Sequence, residues 1–149
     1  MMDSNHTLLK SHFAQFEDPA WEQVGVALTF REIAAMNPLF KEGDAAEGLY
    51  LIVKGRFAVQ VNAGFVEKKQ TVAILSEGSI IGEASLAGVT KHSLRVVAVE
   101  HGVVAVLSHE KFEEFERQTP QIAIALLKHA LSIAHLRLVK NSERLGLVL

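Results

Sequence analysis

The chain has 149 residues, 49% of them hydrophobic, with 15 basic side chains against 17 acidic ones and no cysteine. That length and apolar content suit one folded domain with its own core and argue against a disordered chain. Scattered charge summing to −2 argues against a nucleic-acid binder, which carries a basic face. The missing cysteines exclude a disulfide framework, a thiolate metal site and a cysteine nucleophile. The longest apolar runs, 102–107 and 122–127, are far shorter than a bilayer span, and residues 1–10 are mixed polar, unlike a signal sequence. A cytoplasmic protein with no membrane span is therefore expected. The two dense basic spots, Lys68-Lys69 and the stretch from Arg137 to Arg144, read as solvated surface.

Leu8, Leu9, Phe13 and Phe16 recur at helical spacing and predict a short amphipathic helix. Asp18-Pro19 is an N-cap followed by proline at the first helical position, so a second helix carries Trp21, Val24 and Val26. From Leu28 the pattern changes to short or alternating apolar runs broken by Gly, Asn, Pro and Asp, the signature of a compact all-β unit. Strands are predicted over 30–33, 39–40, 49–53, 57–61, 71–75, 94–99 and 103–107. Glu42-Gly43-Asp44, Lys54-Gly55-Arg56 and Asn62-Ala63-Gly64 supply the turns. Ser108 caps a helix bearing Phe112 and Phe115, and Thr119-Pro120 opens a long one from Gln121 to about Lys140. That last helix is apolar around most of its circumference. It must pack on the β unit along one face and on something else along another.

The stretch Ile80-Ile81-Gly82-Glu83-Ala84-Ser85 has the chemistry of an anion site. Gly82 permits close backbone approach. The amides of Glu83, Ala84 and Ser85 open a short helical turn at the positive end of its dipole. Glu83 is an acceptor suited to sugar hydroxyls. A polar loop follows, and a new strand is expected to open at Ser93.

This segment resembles the phosphate-binding cassette of the cyclic nucleotide-binding domain, found in catabolite activator proteins and in regulatory subunits of cyclic-nucleotide-dependent kinases. Phe40-Lys41-Glu42-Gly43-Asp44, Leu49 to Gly55 and Glu77-Gly78 match the same family at the expected spacing, whereas Met36-Asn37-Pro38 replaces a more usual glycine turn. The resemblance spans roughly Leu8 to Leu138. It implies a mainly β fold, a β-roll of jelly-roll type over 28–107, with N-terminal helices in 7–26 and two C-terminal helices in 109–141, all one domain over 1–149. It further implies that Glu83 accepts from a ribose 2′-hydroxyl and that Gly82, Ala84 and Ser85 surround a cyclic phosphate. The family's phosphate arginine is replaced by His92, preceded by Lys91 and followed by Ser93, whose amide and hydroxyl match the family's small residue there. Strand alternation leaves open which way Arg95 points. Histidine offers one ring donor and only partial charge, against an arginine fork whose charge-assisted bonds are worth about 1.5–3 kcal/mol each.

The resemblance implies a regulatory domain that binds cAMP, cGMP or a related phosphorylated small molecule through Gly82, Glu83, Ala84, Ser85, His92 and Ser93. It would signal through the C-terminal helices to a partner protein or a second copy. The competing reading is a ligand-blind interaction module that keeps the fold and dimerises through helix 120–140. No cofactor is expected, nor is an enzyme: Glu83 lacks a carboxylate partner for acid–base work, and His129 and His135 lie six apart, on different helix faces, unlike a zinc pair at i, i+4. Only Asn141 to Leu149 follow Lys140, too few for a helix-turn-helix, so direct DNA binding by this chain is not expected.

Overall fold

The computed structural model describes residues 4–11, 18–62 and 68–146. Phe13, Phe16, the Ala63-Gly64 turn and the apolar tail at 147–149 lie outside the described residues. Two helices come first, α1 (Ser4–Lys10) and α2 (Asp18–Ala27). Eight strands follow among the described residues: β1 (Thr29–Ile33), β2 (Pro38–Phe40), β3 (Gly48–Lys54), β4 (Phe57–Asn62), β5 (Lys69–Leu75), β6 (Ile80–Ile81), β7 (Arg95–Ala98) and β8 (Gly102–Ser108). A 3₁₀ turn, Glu83–Ala87, lies between β6 and β7, and α3 (His109–Gln118) and α4 (Pro120–Arg144) end the described chain. This is the expected order of helices, β-roll and two helices.

The strands form two antiparallel four-stranded sheets, ordered β1-β8-β3-β6 and β2-β7-β4-β5. The pleat sorts β3 and β8 into two cores. Leu49, Leu51, Val53, Val103, Ala105 and Leu107 face a cluster built with Trp21, Val24, Phe112, Phe115, Ile122 and Leu126 of the helices. Tyr50, Ile52, Val104 and Val106 face the roll interior with Phe40, Phe57, Ile81 and Val96. The first sheet is thus covered on both faces, which is why β3 and β8 read as continuous apolar runs rather than alternating ones. Gly48 is obligatory at the start of β3: a Cβ there would lie 2.1 Å from the Leu107 carbonyl oxygen.

Several local expectations are corrected. Val26 does not share the buried face of Trp21 and Val24 but is 88% exposed. The strand expected at Ser93 opens at Arg95, because residues 90–92 are first paired elsewhere. As expected, Ser108 caps α3 by accepting from the Lys111 amide at 3.3 Å. Thr119 precedes α4 without a side-chain capping bond, leaving Pro120 as the start signal. The last helix also runs beyond Lys140 to Arg144. Its Ile122, Ala123, Leu126 and Ala130 are buried, while Ile124, Leu131, Leu136 and Leu138 are exposed. By length and composition alone α4 is apolar enough to cross a bilayer, although Ile122, Ala123 and Leu126 are part of the protein core.

Candidate functional site

The cassette begins where β6 runs out. Gly82 adopts φ 77°, a left-handed conformation that L side chains avoid, and turns the chain into the 3₁₀ segment. Its surroundings are also tight, since a Cβ would lie 3.1 Å from the Gly48 carbonyl oxygen and 3.6 Å from His92 Cε1. The first bond of the turn is donated by the Ser85 amide to the Gly82 carbonyl, so the amides of Glu83 and Ala84 precede it. The turn closes at Gly88, whose amide reaches the Ser85 carbonyl, while the Val89 amide reaches that of Ala84.

The loop after the turn is fixed by backbone pairing. The Ala46 amide donates to Thr90, the His92 amide to Asp44 and the Gly43 amide to His92. Segment 43–47 is in turn well anchored. Arg31 makes a two-pronged ion pair with Glu47 at 2.8 and 3.1 Å, the Tyr50 hydroxyl donates to the same carboxylate, and the His109 ring meets the Ala46 carbonyl at 2.7 Å. The Arg31 hydrogen bond holds the Glu47 carboxyl below its ordinary range. Burial, reinforced by Glu47, keeps the Tyr50 phenol protonated far into the alkaline range.

This frame drives His92 inward. Its ring stacks on Phe40 with centroids 3.5 Å apart and planes at 4°, Tyr50 flanks it at 6.1 Å, and only 8% of the residue is exposed. Loss of hydration lowers its pKa; the carboxylates of Asp44 and Glu47 oppose that shift without cancelling it. The ring is therefore neutral near pH 7. Its Nε2 is buried and has no hydrogen-bond partner among the described residues, and the same holds for Ser85 Oγ.

The six residues singled out from the sequence do not converge equally. A side chain at Gly82 would meet the His92 ring, and Ser85 is buried within the turn. Ala84 and Ser93 are exposed. Glu83 is drawn the other way: its Oε1 accepts from Nη1 of Arg137 on α4 at 3.1 Å, and Nη2 of the same guanidinium donates to the Ile80 carbonyl. Arg137 was read from sequence as solvated surface, yet its side chain is mostly covered. Nothing in its neighbourhood along the chain signalled this, because the pair spans 54 positions. Arg95 does not substitute for the absent loop arginine. Val96 and Ala98 point into the roll, so the pleat places Arg95 on the opposite face. Lys91 is exposed. Two surface clefts, one between α2 and α3 and one at residues 68–71, both lie away from the cassette.

Comparison with known proteins bears on the fold. Residues 30–119 match the family model described as cyclic nucleotide-binding domain. The cyclic AMP receptor protein of Thermus thermophilus is 32% identical over 130 residues, which cover 83% of this chain and 59% of that protein. A cyclic nucleotide-binding domain from Methylobacillus flagellatus superposes with a TM-score of 0.84 at 23% identity, covering 94% of this chain and 81% of that one. The regulatory domain of Toxoplasma gondii PKA, crystallised with cAMP, superposes with a TM-score of 0.64 at 20% identity, covering 76% of this chain and 46% of that one. These two likenesses are of fold. The chain thus spans little more than half the length of the curated relative from Thermus.

Proposed function

The chain belongs to the cyclic nucleotide-binding domain family, and on that premise we propose that it is a regulatory, non-catalytic domain that binds a cyclic nucleotide at its cassette. The ligand is cAMP, cGMP or a related phosphorylated small molecule, and the expected setting is cytoplasmic signalling. Gly82, Glu83, Ala84, Ser85, His92 and Ser93 are the residues assigned to it.

One observation carries this reading. Ser85 Oγ and His92 Nε2 are buried polar atoms, both in the cassette and both unpartnered among the described residues. An unpaired buried polar group costs about 1–3 kcal/mol, so folded proteins retain few of them. A hydroxyl and a neutral imidazole can each donate, and phosphate oxygens are fitting acceptors. The contact from Glu83 to Arg137 then provides a route from the cassette to α4.

The test follows from that cost. Millimolar cAMP or cGMP should raise the melting temperature, because a ligand that binds the folded state alone must stabilise it. Ser85→Ala and His92→Phe should each weaken the ligand effect about tenfold. Neither should lower the melting temperature of the free protein, since each removes an unsatisfied group and His92→Phe keeps an aromatic ring for stacking on Phe40. Loss of stability with no change in ligand response would defeat the assignment.

A second reading, an interaction module working without ligand, is favoured by one feature of α4. Ile124, Leu131 and Leu138 of α4, with Leu145 just past its end, recur every seven residues, and all are more than half exposed. That spacing suits a helix pairing with a second copy of itself. The two readings are compatible, because the stripe and Arg137 lie on the same helix.

A further inference from the structure

Glu83 is the cassette's sugar acceptor in the reading above, yet its carboxylate already has a cationic partner. Arg137 holds Oε1 through Nη1, and its Nη2 bond to the Ile80 carbonyl fixes the guanidinium at the root of the cassette. The two residues of β6 show on which side this happens. Ile80 belongs to the helix-side core and Ile81 to the roll interior. Arg137 comes from α4, whose Ile122, Ala123 and Leu126 pack in that same helix-side core. His92, by contrast, stacks on Phe40 in the roll interior. Glu83 is thus pulled towards the helices, away from the ring that the proposal places against the phosphate. Both side chains of the pair are more than two-thirds covered, so the contact is only partly screened by water.

We propose that Arg137 is the residue that sets ribose specificity at this cassette, by competing with a ligand's 2′-hydroxyl for Glu83. The inference rests on the cassette being a nucleotide site and adds a role for a residue outside it. A hydroxyl reaching Glu83 must displace a guanidinium that is anchored at a second point. The gain from the new hydrogen bond is then offset by loss of the ion pair, and ribo- and 2′-deoxyribonucleotides bind with similar affinity. The same competition makes α4 the output: a ligand that captures Glu83 frees Arg137, and a ligand lacking the hydroxyl leaves it in place. By linkage, whatever loosens Arg137 must tighten ligands that carry the hydroxyl.

The experiment is calorimetric titration of the wild type, Arg137→Gln and Arg137→Lys with cAMP and with 2′-deoxy-cAMP, each variant first checked for cooperative thermal unfolding. The wild type should bind the two ligands within about threefold of each other. Arg137→Gln should bind cAMP about tenfold more tightly while its affinity for the deoxy form stays unchanged, and Arg137→Lys, which keeps the charge without the fork, should fall between. Equal ratios in the wild type and in Arg137→Gln would overturn the inference and leave the nucleotide site standing. So would a weaker preference for the ribo form in Arg137→Gln, since Arg137 would then be orienting Glu83 rather than competing for it. Silence from all three proteins towards both ligands would remove the site itself, and the inference with it.

Discussion

His92 shows how a single side chain can change meaning between sequence and structure. In the sequence it stands in a polar loop at a position where the family keeps an arginine. In the fold it is a neutral, buried ring stacked on Phe40. Its burial has a consequence for stability. The folded-state pKa lies below the ordinary histidine value, so between the two values the unfolded chain binds more protons. Stability is therefore full at neutral pH and falls as the pH drops below about 6.5. His129, also depressed by burial, adds to the loss with the same sign. Glu47, whose folded pKa is lowered, contributes stability above the ordinary carboxylate pKa that is lost on further acidification. Urea denaturation across this range should show a midpoint that is flat above pH 7 and declines below 6.5, with a shallower first decline in His92→Phe. A midpoint that rises as the pH falls from 7 to 5.5 would contradict the burial of the neutral ring. Met36 offers a separate test. It is exposed and adopts φ 69°, where the family more often has glycine. Met36→Gly should stabilise the protein by about 1 kcal/mol, measurable as a raised denaturation midpoint.

At the scale of elements, what was legible in the sequence was whatever depends on local pattern. The strands at β3, β4 and β8 follow from uninterrupted apolar or alternating runs, and α3 from its serine cap. The span of β7 was legible to within a residue, 94–99 expected against Arg95–Ala98 found, but the reason it does not open at Ser93 was not. Its start is delayed by backbone bonds from 90–92 to 43–46, a pairing across nearly fifty positions with no side-chain signal. For the same reason the inward turn of His92 could not be read, and neither could the capture of Glu83 by Arg137. The long helix was half legible: its apolar circumference called for two partners, and the structure supplies one. The outward stripe is where the second should sit. Leu131→Glu combined with Leu138→Glu should leave folding intact, since both side chains project into solvent, and should weaken self-association in sedimentation velocity. Unchanged sedimentation of an associating wild type would place the contact on another surface. A wild type that is monomeric throughout would rule out the stripe as a self-pairing surface.

At the scale of the whole molecule, one sheet separates two cores, and the cassette sits where they meet. Ile80 and Ile81 face opposite cores from adjacent positions, and Gly82 follows them immediately. This point touches both sides: a side chain at Gly82 would meet His92 in the roll, and Arg137 reaches Glu83 and the Ile80 carbonyl from α4. Segment 43–47 provides a second connection, since it pairs with the cassette loop and is bound by His109 at the start of α3. Removing the conformational freedom at the junction should be costly. Gly82→Ala forces an L side chain into left-handed backbone beside the Gly48 carbonyl, and a loss of about 1–3 kcal/mol is expected by denaturant unfolding.

The cassette is proposed to receive a cyclic nucleotide although a histidine stands where the family keeps an arginine. Calorimetric titration of the wild type with cAMP and cGMP, at about pH 6 and about pH 8, tests it most directly. A phosphate against His92 favours the protonated ring, so binding should be detectable and tighter at the lower pH. Absence of heat at both pH values up to millimolar ligand, where binding is worth only about −4 kcal/mol, would contradict the account and leave α4 as the working surface of the domain.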